Sequence, residues 1–314
     1  MSVFTPVTEA EARDLLEHYS LGDLERLQGI AQGVENTNFF LTTTTGEYVL
    51  TLFETLGTDV LPFYVDLMAH LADREVPCPV PMARDDGALL STLNGKPAVI
   101  VSRLPGKPVQ PPDAAHCRRA GALLARVHSA GIDFDEGLDN WRGREWREAF
   151  AREVAPKLGV EDNALIASEN AWQAALDDSA LPQGIIHGDY FHDNVLWADD
   201  AHGGVIDFYF ACDDALLYDV AIAVNDWCAH PDATLDGARV HAFLEGYRHQ
   251  RPFEDAELAL WPGMLRRASL RTWLGRLGYN HFPREAEVTI PKDHAFSRRQ
   301  LLHHIATARP MEPA

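Results

Sequence analysis

The stretch "IIHGDYFHDNVLW", residues 185–197, sets an apolar pair against His187, Asp189, His192, Asp193 and Asn194, then returns to Val195, Leu196 and Trp197. Its apolar ends read as short buried strands, and its middle gathers groups that move protons or bind hard cations. Downstream, "GGVIDF" reads as a strand and the intervening "ADDAHG" carries turn chemistry, so "NVLW" and "GGVIDF" are expected to form a hairpin. With Trp197 opposite Gly204, antiparallel register sets Asn194 opposite Asp207. An amide oxygen and a carboxylate side by side are ligands that suit Mg2+. Asp189 precedes Asn194 by five positions. An Asp, an Asn at that spacing and a later Asp match a phosphoryl-transfer arrangement: the first carboxylate receives a hydroxyl proton, and the other two residues hold Mg2+. Any three-residue piece of this pattern is an ordinary polar loop. The reading rests on His187, Gly188, Asp189, Asn194 and Asp207 coinciding with a compatible hairpin. His192 and Asp193 fit a surface loop as well as they fit a site, and Asp219, in "LLYDVAIAV", reads as an N-cap that braces the loop.

Composition narrows the setting. A chain of 314 residues, 46% hydrophobic, can bury a sizeable core and suits two domains better than one. Its 47 acidic residues against 27 basic ones give a net charge of -20, which repels phosphate backbones and anionic lipid. Neither nucleic acid nor a membrane is an expected partner. No apolar run approaches the ~18 residues of a membrane span and no targeting pattern opens the chain, so a cytoplasmic location is expected. Cys78, Cys117, Cys212 and Cys228 have neither zinc-site spacing nor the density of a disulfide scaffold.

Along the chain, Thr8 and Glu11 form a capping box before an amphipathic helix, and "NFFLTTTTGEYVLTLFE" reads as two strands turning near Gly46. A helix in "VLPFYVDLMAHLADREV" and a strand in "KPAVIVSRL" follow. Pro105, Pro108, Pro111 and Pro112 around Gly106 then mark a linker. These features predict an α+β chain with a small β-rich N-terminal lobe, residues 1–105, and a larger, mainly helical C-terminal lobe, residues 106–314. The second lobe opens on a helix capped by Asp113, with Cys117, Ala120, Leu124 and Val127 on its apolar side, and helical patterns run on to about Arg309.

The motifs "HGDYFHDN" and "VIDF" resemble the catalytic and metal-binding motifs of aminoglycoside phosphotransferase-like small-molecule kinases, which share the two-lobed protein-kinase fold. "GVENTNFFL" at 33–41 is similar to their nucleotide loop, "VSRLPGKP" to their hinge, and "ALLARVHS" at 122–129 to a further marker. Within this superfamily, "GVENTNFF", "YVLTLFE", "LMAHLA" and "RASLRTWLGRL" are similar to bacterial homoserine kinases of this fold. The resemblance implies Mg2+-dependent transfer of the γ-phosphoryl group of ATP to the side-chain hydroxyl of L-homoserine, a step toward threonine. It makes residues 1–105 the nucleotide-binding lobe, with Gly33, Asn36, Asn38, Thr51 and Arg103 on the nucleotide side. Asp189, His187 and Asn194 become catalytic, and Asn194 with Asp207 becomes the metal pair. Gly33 would let backbone approach phosphates, while Asn36 and Asn38 offer uncharged donors. One departure stands out: many relatives carry Lys or Arg on the following strand, and here Thr51 occupies that phosphate-pairing position. Tyr64 stands where the acidic partner is usual, leaving Asp66 as a stand-in.

A small zwitterionic acceptor needs a cation for its carboxylate and an anion for its ammonium. Arg267, Arg271 and Trp273 in the "RRASLRTWLGRL" helix, with His192 and with Asp226 in "VNDWCAH", are the expected acceptor contacts. Other readings stay open: a metal-dependent phosphohydrolase, a kinase of choline or an aminoglycoside, and a nucleotide-binding pseudokinase suggested by Thr51. Oligomeric state is not legible in the chain, and a homodimer stays open.

Overall fold

In the computed structural model, residues 4–30, 36–282 and 293–311 are described. They fall into two compact units: the chain up to Pro105 together with Gly204–Ile206, and Gly106–Gly203 together with most of the chain from Asp207 onward.

In the first unit, α1 (Glu9–Leu16) starts at the expected capping box, with the Glu11 amide donating to Thr8 Oγ1 at 3.3 Å and the Thr8 amide to Glu11 Oε2 at 2.7 Å. An antiparallel sheet follows, built from β1 (Leu24–Gly29), β2 (Thr37–Thr43), β3 (Gly46–Leu52), β4 (Ser91–Leu93) and β5 (Lys96–Ser102) in the order β1-β2-β3-β5-β4. The β2–β3 turn closes where Thr43 pairs with Gly46. Leu41, Leu50, Leu52, Ala98 and Ile100 bury against Ala12, Leu15 and Leu16 of α1, each leucine contributing about 1.5–3 kcal/mol. The outer strands β1 and β4 were not foreseen. "LERLQG" buries only Leu24 fully, and a strand of three residues is too short to show a period. α2 (Leu61–Asp73) completes this unit, with Tyr64 fully buried.

The second unit opens with α3 (Ala114–Ala130), which Asp113 caps by accepting from the His116 amide at 2.8 Å; Cys117, Ala120, Leu124 and Val127 are all buried, as expected. α4 (Arg144–Val154) and α5 (Val160–Ala174) lead to β6 (Gln183–Ile186), β7 (Val195–Trp197), β8 (Gly203–Val205) and β9 (Cys212–Ala215). α6 (Leu216–Trp227), α7 (Gly237–Gln250), α8 (Asp255–His281) and α9 (His294–Thr307) complete it. Apart from Asp226, every residue of α6 is buried, so it is the axis around which this unit packs. α3 and α7 cross closely enough that a Cβ at Gly121 would overlap the Phe243 carbonyl and one at Gly246 the Arg118 carbonyl. Pro262 lies inside α8, where its missing N–H frees the Leu258 carbonyl; the Met311 amide fills that place at 2.9 Å.

Two strand pairings frame the catalytic stretch. β6 pairs antiparallel with β9, Ile185 opposite Asp213, a partnership the sequence did not announce. β7 and β8 form the expected hairpin, but one residue out of the expected register. Asp199 accepts from the Ala201 and His202 amides, and the Ala198 amide donates to the His202 carbonyl at 3.0 Å, so Trp197 lies opposite Gly203 rather than Gly204. A glycine suits this position, because a Cβ at 203 would lie 2.9 Å from the indole of Trp197 and would force it to shift. The same count sets position 194 level with 206, and at Asp207 the backbone leaves the strand with φ 66°. Asn194 and Asp207 therefore do not face each other across a regular ladder, contrary to the register expected from the sequence.

Among the described residues no helix is long and apolar enough to cross a membrane, and no group of three or more His, Cys, Asp and Glu is arranged to hold a metal ion. All four cysteines are free and buried, and burial pushes the Cys78 thiol up to about 12.

Candidate active site

The loop after β6 is fixed from beneath by Asp219. This carboxylate, fully buried in the first turn of α6, accepts from the His187 amide at 2.7 Å and the Gly188 amide at 3.0 Å. It also pairs with His128 Nε2 at 3.0 Å, and the other nitrogen of that ring meets the Tyr247 hydroxyl at 2.7 Å. Burial favours the neutral acid, but the bonds from His128 and the His187 amide prevail and hold Asp219 below the usual carboxylate range. Asp219 braces the loop as expected, but not as an N-cap; Ala215 occupies that position. Gly188 is needed next to it, since its φ is 73° and a Cβ would overlap the Phe210 carbonyl.

Asp189 emerges from this base. Its amide donates to His187 Nδ1 at 3.2 Å, and the His187 ring is fully buried against Tyr190 and Phe208. Arg271, reaching from α8, donates to Asp189 Oδ1 at 3.0 Å through Nη1 and to the Gly188 carbonyl at 2.8 Å through Nη2. Burial disfavours the guanidinium charge, yet Asp189 raises the Arg271 pKa above its ordinary value. Asn194 closes the loop: its Nδ2 donates to the Asp189 carbonyl at 2.9 Å and approaches Oδ2 at 3.4 Å. His192, in the short 3-10 turn before β7, meets Asp226 through both its amide and Nδ1, each at 2.7 Å. That bond raises the His192 pKa.

Beside Gly188 lies a small recess, lined by Asn140, Trp141, Arg142, Gly188, Phe210, Cys212, Tyr218 and Arg271.

The model of the phosphotransferase enzyme family matches residues 26–253, well over half of the chain. The chain belongs to that family. Among curated phosphotransferase relatives, the homoserine kinase of Methylobacillus flagellatus is 51% identical over 98% of this chain and 96% of its own length. That of Paraburkholderia phymatum is 48% identical over 98% and 99%. Solved structures carry the same fold at far lower identity. An amicoumacin kinase in complex with AMP-PNP, Ca2+ and its antibiotic superposes with a TM-score of 0.72 at 16% identity, covering 98% of this chain and 96% of its own. A microcompartment-associated aminopropanol kinase gives 0.72 at 18%, covering 95% and 97%. The fold is thus the α+β, protein-kinase-like fold of the phosphotransferases.

Of the expected site residues, His187, Asp189, Asn194 and Arg271 share one hydrogen-bonded cluster, and His192 with Asp226 forms a second pair. Trp273 is fully buried among Val154, Ile166, Leu270, Leu274, Leu277 and Leu301. Arg267 turns to Asp178 instead. In the first unit, Gly33 lies outside the described residues. Thr51 is buried and donates to Asn38 Oδ1 at 2.7 Å, Asn36 is buried with no partner for its Oδ1, and Arg103 pairs with Glu47 at 3.1 Å over the ring of Phe40. Burial raises the pKa of Asp66. The "NWR" segment at 140–142 carries no motif that would mark it in the sequence, and it enters the recess only through tertiary packing.

Proposed function

We propose that this phosphotransferase is a homoserine kinase, transferring the γ-phosphoryl group of ATP to the side-chain hydroxyl of L-homoserine to give O-phospho-L-homoserine, a precursor of threonine. The observation that carries the reading is the 46–51% identity to homoserine kinases over nearly the whole chain.

On this reading Asp189 aims the acceptor hydroxyl and takes its proton late in the transfer. Arg271 occupies Oδ1, so the proton goes to Oδ2, the oxygen that Asn194 approaches at only 3.4 Å. His187 and Asp219 position the loop without touching the reacting atoms. Asn194 and Asp207 would hold Mg2+: Asn194 commits its Nδ2 to the Asp189 carbonyl, which leaves its Oδ1 as a hard oxygen donor, and the Asp207 carboxylate is of the same donor class. When bound, the metal neutralises charge on the phosphoryl oxygens. Asn36 and Asn38 serve the nucleotide. Thr51 supports them by holding the Asn38 amide, in place of a cationic phosphate contact.

A coupled ADP-release assay with L-homoserine, choline and kanamycin tests the reading. Homoserine should be the preferred acceptor and O-phosphohomoserine the product. Preference for choline or kanamycin would sink the substrate assignment, and ATP binding without transfer to any acceptor would make the chain a pseudokinase.

A further inference from the structure

The recess beside Gly188 is chemically one-sided. Its lining holds two guanidiniums, Arg142 and Arg271, and no carboxylate. Arg142 lies over the rings of Trp141 and Phe210, at 4.6 and 4.4 Å from their centroids, a cation–π contact with each. Asn140 ties its own segment down, accepting from the Arg142 amide at 2.8 Å and donating to Asp214 at 2.6 Å. The telling group is Tyr218. Its ring is 1% exposed in α6, yet its hydroxyl has no hydrogen-bond partner. Leaving a buried hydroxyl unpaired costs about 1–3 kcal/mol, and a hydroxyl beside two cations suits an anionic oxygen that can accept from all three.

We propose that this recess is the carboxylate subsite of the acceptor, in which the Tyr218 hydroxyl and the Arg142 guanidinium bind the carboxylate while Arg271 bridges it to Asp189. The inference rests on the homoserine reading and adds to it the residues that select an amino acid over a simple amino alcohol. Gly188 lines the recess and Asp189 follows it directly, so a short acceptor anchored here by its carboxylate presents its other end to the catalytic carboxylate. Cys212 in the same lining takes no chemical part, because burial raises its thiol far above the ordinary range.

The test compares L-homoserine with 3-amino-1-propanol, which is homoserine without its carboxylate, in the parent, Tyr218→Phe and Arg142→Gln. The parent should favour homoserine in kcat/KM by at least ~10³, because a site built around polar groups rejects a ligand that leaves them unpaired. Tyr218→Phe keeps the buried ring, so thermal stability and the ATP KM should hold while the homoserine KM rises at least tenfold; aminopropanol turnover should stay unchanged. Arg142→Gln should shrink the same ratio. Equal losses on both acceptors, or a ratio that survives Tyr218→Phe, would overturn the subsite and leave homoserine kinase activity standing. A parent that instead prefers another hydroxy amino acid, with the same dependence on Tyr218, would overturn the homoserine reading and keep the subsite. A parent that prefers aminopropanol overturns both.

Discussion

Asp189 is held by three neighbours, and the consequence of replacing it is specific. Asp189→Asn keeps the shape but removes the acceptor for the hydroxyl proton, so single-turnover transfer should fall by ~10²–10⁴ while calorimetry finds ATP binding nearly unchanged. A mutant that transfers at the parent rate would remove this residue from the mechanism. Asn194→Ala and Asp207→Ala should each cost ~10² or more in turnover, most strongly at limiting Mg2+, since neutralising phosphoryl charge dominates this chemistry. Arg271→Ala should lower kcat as well as raise the homoserine KM, because the same guanidinium holds Asp189. A change in KM alone would confine Arg271 to binding. That His187, Asp189 and Asn194 lie together was legible in the sequence because their spacing falls within one loop. The burial of Trp273 and the pairing of Arg267 with Asp178 were not legible, because a helix offers several faces and only packing decides which of them is core.

The elements impose their own limits. The α3–α7 crossing leaves no room for a methyl group, so Gly246→Ala should cost at least ~1–3 kcal/mol, read as a drop in the denaturant midpoint with no change in KM. α9 is docked by buried polar groups: Gln300 donates to the Asn225 carbonyl at 2.7 Å, and His304 Nε2 meets Asn225 Oδ1 at 2.8 Å. Burial, with His303 alongside, holds the His304 pKa down to about 3. The unfolded chain therefore takes up a proton below its ordinary pKa of ~6.5 that the folded chain refuses, and stability falls by about 1.4 kcal/mol per pH unit as pH drops toward the folded value. His304→Gln, which keeps an amide to bond Asn225, should lose less stability than the parent between pH 7 and pH 5 in thermal unfolding; equal losses would acquit His304. Long helices and the β2–β3 hairpin were readable from period and caps. The β6–β9 pairing was not, because its partners are separated by a loop and a hairpin, and no local pattern encodes that meeting.

For the whole molecule, the charge of -20 and an isoelectric point near 5.0 predict a solubility minimum close to pH 5, visible as turbidity in a pH series at low salt. The division into two units shapes what can be done with the gene. Gly204–Ile206 belong with the first unit although the residues on both sides belong to the second; the Val205 amide donates to the Pro77 carbonyl at 2.8 Å, and Gly204 packs beside Leu104. A cut at the proline-rich linker therefore does not separate two independent modules. A fragment ending at Pro105 would lack the donor for Pro77 and the backbone that covers Leu104, while the remainder would keep three residues with no unit to join. Split-protein complementation at that linker should fail unless the first fragment is supplied with a peptide spanning residues 203–207, whereas a circular permutant opened between residues 199 and 202, at the exposed tip of the β7–β8 hairpin, leaves every one of those contacts on a continuous chain.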